Sequence, residues 1–263
     1  MMNGIEKGLN ANHLKLLAIV AMTVDHIADL LFPGFPAEPL PVLLHIIGRL
    51  TAPIMWFFLC EGFFYTKNIK KYMIRMFCFA AISHFAYCFA FGIPYLPYST
   101  GNILNQTSVI WALAWALAAL WIIHGDENIH GNENIHGKHN LKQWQKYVML
   151  TLICLISFSA DWSCIAVMAV VAMYSNRGSL PKQMRAMMMW VLIYAVISFF
   201  CVNKVYGLIT LFAFLVCFPL RHYNGQRGKA GWMKWLFYVY YPAHLIVIGI
   251  FRLVMYGNLP LLF

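Results

Sequence analysis

The stretch LKLLAIVAMTVDHIADLL, residues 14–31, decides what kind of protein this chain is. It is apolar over nearly the length that a helix needs to cross about 30 Å of hydrocarbon, yet it contains Asp25, His26 and Asp29. No small-residue cleavage site accompanies it, so we expect it to remain as the first membrane span. A charged side chain at the centre of a span costs at least about 2.5 kcal/mol, so such residues face the bundle interior and mark function.

The composition of the whole chain agrees with a membrane location. Of the 263 residues, 62% are hydrophobic and only 11% are charged, which is more apolar surface than one soluble core of this size can bury. The 19 Lys and Arg outnumber the 9 Asp and Glu, but they sit in short clusters between apolar runs rather than along one stripe. We therefore expect the lipid bilayer as a partner, and no nucleic acid.

Apolar runs predict about nine membrane-spanning helices. Lipid offers no hydrogen-bond partner to backbone groups, and no alternating pattern suggests a barrel, so the predicted fold is all-α. We expect a polytopic transmembrane helical bundle that forms a single membrane domain over residues 1–263. The predicted spans, several of them short, are 13–32, 41–65, 72–91, 109–124, 147–158, 162–174, 187–200, 206–219 and 235–256.

Lysine and arginine residues are unevenly distributed among the predicted loops. They accumulate before the first span and in every second loop, which places the N-terminus and these loops in the cytoplasm. The same bias requires a break at residues 159–161. One continuous helix over 147–174 would put the two neighbouring basic loops on opposite sides of the membrane.

A hexapeptide is repeated about three times after the fourth predicted span, as IHGDEN, IHGNEN and IHGKHN. It contains His124, His130, His136 and His139. We interpret residues 123–146 as a flexible cytoplasmic loop, because nothing fixes these imidazoles in the one geometry that a metal requires. The seven cysteines lie in or beside apolar runs and indicate neither a disulfide framework nor a metal site.

Several ionisable residues from four predicted spans reach a similar level near the middle of the membrane. At a helical rise of about 1.5 Å per residue, this layer contains Asp25, His26, Arg49, His84 and His244. Each one alone is equally consistent with a packed polar group that a neighbouring helix or water satisfies. For His45, near the outer end of the second span, we prefer the packing interpretation.

The acidic and basic residues of the first span differ in the directions they face. Asp25 and Asp29 share one helix face, whereas Asp25 and His26 diverge by about 100° and should not pair within the helix. We expect His26 to take its orienting partner from another helix or from Asp29. A histidine in this setting suits a general base, because small environmental changes move its protonation around neutrality.

The second span has two notable features. The segment GRLTAP, residues 48–53, surrounds Arg49 with residues that weaken a helix and free backbone groups for a ligand. Near the cytoplasmic end, Glu61 is either a site residue or the partner of Lys67 or Arg75 in an ion pair.

At these residues the sequence resembles the TraX family, integral membrane proteins associated with N-acetylation of conjugative pilin. The resemblance covers most of the chain and is carried by LKLLAIVAMTVDHIADLL (14–31), IGRLTAPIMWFFLCEGFFYTKNIKKYMIRM (47–76), YNGQRG (223–228) and FYVYYPAHLIVI (237–248). It implies a bacterial inner-membrane acyltransferase that moves acetyl from cytoplasmic acetyl-CoA to an acceptor. That acceptor would be a pilin N-terminus, a small amine or a sugar.

The resemblance also implies site residues, to which acyl-transfer chemistry gives roles. His26 would be the base, an acidic neighbour such as Asp25 its partner, and Arg49 or His244 the contact to the oxyanion or substrate. Acetyl-CoA would be bound by Arg75, Asn224, Arg227 and Tyr241. Further candidates are Glu61, Asp29 and His84, of which His84 ranks lower because it does not belong to the family pattern.

Two other functions remain open at this point. A proton-coupled transporter or flippase would use the same intramembrane histidines and aspartates as a relay. A non-catalytic pilus assembly factor would use the polar layer only to pack its helices.

Overall fold

The structure is a computed structural model that describes residues 8–99, 103–125 and 141–257. These residues form helices joined by turns, with two isolated parallel bridges, Leu9 with Tyr223 and Thr107 with Ala160. The predicted all-α fold is confirmed. His130, His136 and His139 of the repeat lie outside the described residues.

Eleven α-helices and one 3-10 helix follow one another along the described part of the chain. They are α1 (Ala11–Leu31), α2 (Pro39–Gly48), α3 (Thr51–Tyr65), α4 (Ile69–Phe91), α5 (Val109–His124), α6 (Gln143–Ser157), α7 (Ser163–Ser175), α8 (Leu180–Cys201), α9 (Lys204–Leu211), the 3-10 helix Phe212–Val216, α10 (Cys217–Arg221) and α11 (Met233–Tyr256). The predicted loop 123–146 is therefore helical where it overlaps α5 and α6.

The helical segments long and apolar enough to cross a membrane are Pro39–Tyr65, Ile69–Phe91, Leu180–Cys201, Lys204–Arg221 and Trp235–Tyr256. Helices α5 and α7 are apolar but shorter. Helix α1 has 21 residues and carries Lys15, Asp25 and Asp29. These helices make the chain a multi-pass membrane protein, while the count of nine spans and the cytoplasmic N-terminus stay predictions.

The second span is interrupted at Arg49 and Leu50, between α2 and α3. Pro53 explains the interruption, because it has no N–H to donate to the carbonyl of Arg49 four residues earlier. The hydroxyl of Thr51 fixes the start of α3 by donating to the carbonyl of Ala18, 3.1 Å away. The predicted weakening of the helix around Arg49 is confirmed.

The predicted break at residues 159–161 is also present, between α6 and α7. The turn is fastened to the segment before α5, because the N–H of Asp161 donates to the carbonyl of Thr107 over 2.9 Å. Trp162 and Ser163 complete the turn with positive φ angles of 64° and 51°.

The chain divides into two compact units. The first comprises Met1–Met55 and Tyr194–Tyr240, and the second comprises Trp56–Ile193 and Tyr241–Phe263. In the first unit α1 packs along α2, and in the second α5 packs against α4, α6 and α7. The single membrane domain over residues 1–263 stays a prediction.

In the first unit, the loop that carries YNGQRG is paired with the beginning of α1. The N–H of Leu9 donates to the carbonyl of His222 over 2.7 Å, and the N–H of Asn224 donates to the carbonyl of Leu9 over 2.9 Å. The side-chain amide of Asn12 bonds the carbonyl of Arg227 and the N–H of Ala230, at 3.1 and 3.2 Å. The motif thus shapes the loop that holds the start of α1.

Gly228 is required where this loop meets Asn12. Its φ is +84°, and a Cβ there would lie 2.6 Å from the amide of Asn12. We expect Gly228→Ala to lower the free energy of unfolding by more than about 1 kcal/mol, measured by denaturant titration in micelles. Gly225 also has a positive φ, +76°, but a Cβ there would meet no other atom, so Gly225→Ala measures the backbone cost alone. Gly231→Ala, where a Cβ likewise meets no other atom, is the neutral control. Equal stability of the 228 and 231 variants would contradict this.

Candidate functional site

Asp25 lies at the centre of a buried polar cluster in the first unit. Its Oδ1 is 2.8 Å from Nδ1 of His45, and its Oδ2 accepts a hydrogen bond of 2.7 Å from Nη2 of Arg49. His45 and Arg49 are four residues apart, at the end of α2, so both side chains face α1. Both oxygens of the carboxylate are thereby engaged by one neighbouring helix end.

Gly48 allows α2 to approach α1 this closely. A Cβ at this position would collide with the side chain of Asp25. The cluster therefore requires a glycine at this position of the GRLTAP segment, because a larger residue would not fit against Asp25.

His45, for which the sequence favours a packing role, is part of this cluster. Its side chain is 1% exposed, and Nδ1 donates to the Asp25 carboxylate, since an ionised carboxylate only accepts. Among the described residues, Nε2 has no hydrogen-bond partner although it is buried. A neutral ring bonded in this way carries its proton on Nδ1 and its lone pair on Nε2. The sequence signal that would have indicated His45 is its spacing of four from Arg49.

Aromatic rings surround the rest of the cluster. The guanidinium of Arg49, 6% exposed, lies 5.1 Å from the ring centroid of Tyr206. Phe35 packs against both His45 and Tyr206, with ring centroids 4.6 and 4.8 Å apart. The hydroxyl of Tyr206 is 3.3 Å from that of Tyr194. These rings lower the local polarity, which strengthens the charge-assisted bonds inside the cluster.

His26 and Asp29 are half-buried on the same helix as Asp25. The two hydrogen bonds described for the Asp25 carboxylate go to the end of α2, in keeping with the expected divergence of Asp25 and His26. The assignment of His26 as the base stays a prediction.

His84, Tyr241 and His244 belong to the second unit. The ring of His84 bonds at both nitrogens, with Nε2 2.7 Å from the carbonyl of Tyr95 and Nδ1 3.0 Å from the hydroxyl of Thr107. This pairing fastens both ends of the segment between α4 and α5 to α4, and the lower rank given to His84 stays a prediction. Tyr241 and His244 are buried and their ring centroids are 5.5 Å apart. The common layer of Asp25, His26, Arg49, His84 and His244 stays a prediction.

Among the described residues, Glu61 forms an ion pair with Arg177 and not with Lys67 or Arg75, the two partners that the sequence offered as an alternative to a site role. Its two oxygens accept from Nε and Nη2 of Arg177 over 3.1 and 3.3 Å. The guanidinium lies 3.2 Å from the ring centroid of Phe64. Such a two-bond pairing to an arginine satisfies the carboxylate and gives Glu61 a structural task in the second unit.

The residues predicted to bind acetyl-CoA differ in their surroundings. Arg227 and Arg75 are exposed, and Arg75 lies 5.7 Å from the ring of Tyr72. Asn224 is half-buried and its side chain accepts from the N–H of Gln226 over 3.0 Å, which shapes the turn. Their roles toward acetyl-CoA stay predictions. Among the described residues, no group of three or more His, Cys, Asp or Glu is placed to hold a metal ion.

Comparison with known proteins identifies the family. The family model described as TraX protein matches residues 10–252. The chain belongs to the TraX family. This TraX-family chain is 29% identical over 248 residues to the probable fimbrial assembly protein FimC, serogroup H1, of Dichelobacter nodosus, covering 91% of the chain and 94% of that protein. No solved structure matches it. The resemblance noted in the sequence is confirmed.

The buried ion pair of the TraX-family chain makes a prediction about stability. Asp25→Asn or Arg49→Met leaves one buried charge without its partner, and each is expected to cost about 3–5 kcal/mol. The double variant removes both charges and should cost at least about 1 kcal/mol less than the sum of the single variants. Denaturant titration in micelles measures all three. Glu38→Gln, an exposed residue without a side-chain cap bond, is the control. Strict additivity would show that the charges are not coupled.

Proposed function

We propose that this TraX-family protein is a membrane-embedded acetyltransferase that moves acetyl from cytoplasmic acetyl-CoA to an amine or hydroxyl acceptor. The observation that carries this proposal is the pair Asp25 and His45, in which a partly buried carboxylate orients an imidazole whose Nε2 has no hydrogen-bond partner among the described residues. A carboxylate that holds the far nitrogen of a histidine stabilises the imidazolium formed when the other nitrogen accepts a proton. This is the arrangement that a general base for acyl transfer requires.

In the proposed step, Nε2 of His45 removes a proton from the acceptor as its nitrogen or oxygen attacks the thioester carbonyl. The new bond to the carbonyl carbon forms, a tetrahedral intermediate carries the negative charge, and the C–S bond then breaks. The leaving CoA thiolate takes the proton from the His45 imidazolium. The products are the acetylated acceptor and the CoA thiol, and His45 is neutral again.

Arg49 and Asp25 have complementary tasks in this scheme. The guanidinium neutralises the carboxylate at rest, so the cluster has no net charge while His45 is neutral. When His45 takes the proton, the carboxylate 2.8 Å away balances the new positive charge. The positive field of Arg49 also favours the developing oxyanion. His26, the base expected from the sequence, is the competing candidate for the proton-transfer step.

The position of the YNGQRG loop supports a donor that binds along α1. Arg227 and Lys229 are exposed cations of this loop and suit the CoA phosphates. The loop is bonded to Asn12, and Asp25 lies about 20 Å further along the helix at the rise of an α-helix. A donor held at the loop by its phosphates would extend its thioester arm over this distance. Asn224 of the same loop belongs to this proposal, and the contacts of Arg75 and Tyr241 with acetyl-CoA stay separate predictions.

The name of the relative from Dichelobacter nodosus, a probable fimbrial assembly protein, supports a pilus-related role. The acceptor that we propose is a pilin N-terminus, with a small amine or a sugar as the alternative. Pilus assembly without catalysis is the competing function, since the relative is named for fimbrial assembly. A proton-coupled transporter or flippase is the other alternative.

The proposed base makes a prediction that separates His45 from His26. Label from acetyl-CoA is followed into a peptide with a free α-amine, using purified protein in lipid vesicles. His45→Gln should reduce the rate by about 10² to 10⁴, because it removes the general base. His26→Gln should retain more activity than His45→Gln, and His222→Gln, at an exposed position, is the matched control.

Three other results would contradict the assignment of His45 or the transferase function. Full activity of His45→Gln with loss in His26→Gln would assign the base to His26. Absence of acetyl transfer together with normal pilus assembly by both variants would favour the non-catalytic function. Substrate flux in vesicles that lack acetyl-CoA would favour the transporter.

A further inference from the structure

Phe35 occupies an unusual backbone conformation in the loop between α1 and α2. Its φ is +54°, and the preceding Gly34 has φ +86°. A bulky residue at positive φ is uncommon and costs of the order of 1–3 kcal/mol, so it persists only where its surroundings hold it. Phe35 is held by its ring, which packs against His45 and edge-on against Tyr206.

Phe35 is more exposed than the histidine against which it packs. His45 is 1% exposed, whereas Phe35 is half-buried and the adjacent Pro33 and Gly34 are exposed. The ring therefore lies between His45 and the exposed loop. The buried imidazole against which it packs has an Nε2 without a hydrogen-bond partner among the described residues.

We propose that Phe35 is a specificity-determining residue that keeps water away from Nε2 of His45 and holds the imidazole against Asp25. The proposal rests on the proposed transferase function. Water at Nε2 would be activated as the acceptor is, its oxygen would bond to the thioester carbonyl, and the C–S bond would break. Acetate and the CoA thiol would form, with the proton passing through His45 to the thiolate. The acceptor would displace the Phe35 ring on reaching Nε2, whereas in its absence the ring stays in place and excludes water, so the cover favours transfer to the acceptor over hydrolysis.

The cover is tested by a labelling experiment that needs no enzymatic activity. Purified full-length protein in micelles is treated with diethylpyrocarbonate, and modification of His45 is followed by mass spectrometry. His13 and His222 are exposed and serve as internal standards of reagent and fold. His45 should react slowly in the wild type and at least several-fold faster in Phe35→Gly, which accepts the positive φ but removes the ring.

Two further variants control for the loop itself. Phe35→Tyr keeps a ring and should protect His45 as the wild type does. Leu40→Ala shortens an exposed apolar side chain near the start of α2 and should leave the labelling unchanged. Equal rates of His45 labelling in the wild type and in Phe35→Gly would overturn the cover, whatever the enzyme assay shows.

The selectivity is tested in the acetyl-CoA assay, by comparing CoA thiol released with acetyl transferred. Phe35→Gly should raise the ratio of hydrolysis to transfer several-fold, while Leu40→Ala should not. An unchanged ratio in an active Phe35→Gly protein would overturn the selectivity role. Faster labelling of His45 combined with no use of acetyl-CoA by the wild type would leave the cover standing and refute the transferase function instead.

Discussion

The charge of Asp25 is the constraint on which the first unit depends. A largely buried carboxylate must find partners inside the protein, because burial removes the water that would otherwise bond it. The end of α2 supplies them one turn apart, as the imidazole of His45 and the guanidinium of Arg49. Gly48 makes the approach possible, and the interruption at Arg49 and Leu50 follows from Pro53. Gly48, Arg49 and Pro53 of the GRLTAP segment therefore all contribute to the ion pair between Asp25 and Arg49.

The same interaction leaves Nε2 of His45 buried without a hydrogen-bond partner among the described residues. Asp25 uses one oxygen for each partner, so the ion pair with Arg49 is complete, while among the described residues His45 is bonded only at Nδ1. A buried polar group without a partner requires an explanation, and a catalytic role is one of the accepted ones. Phe35 and Tyr206 surround this site with aromatic carbon, which strengthens the electrostatic terms within it. The cluster is thus both a structural bond between α1 and α2 and a candidate base.

Local signals in the sequence predicted the helical class, the membrane location and the two helix interruptions. Each depends on residues close together in the chain, such as Pro53, which cannot bond the carbonyl of Arg49, or on the occurrence of basic residues in every second loop, which required the turn at Ala160. The partner of Glu61 was missed because Arg177 is 116 residues away in the chain. The place of His45 in the cluster was missed because it depends on sharing a helix face with Arg49, which an estimate of depth in the membrane does not contain. The positive φ of Phe35 follows from tertiary packing, which local propensity does not contain.

The protonation of the His45 ring tests the central claim most directly. Full-length protein with ¹⁵N-labelled histidine in micelles is examined by NMR at neutral pH, and the His45 signals are assigned by their loss in His45→Gln. The account predicts a proton on Nδ1, a lone pair on Nε2, and a changed Nδ1 signal in Asp25→Asn. A proton on Nε2, or a ring that does not respond to Asp25→Asn, would contradict it.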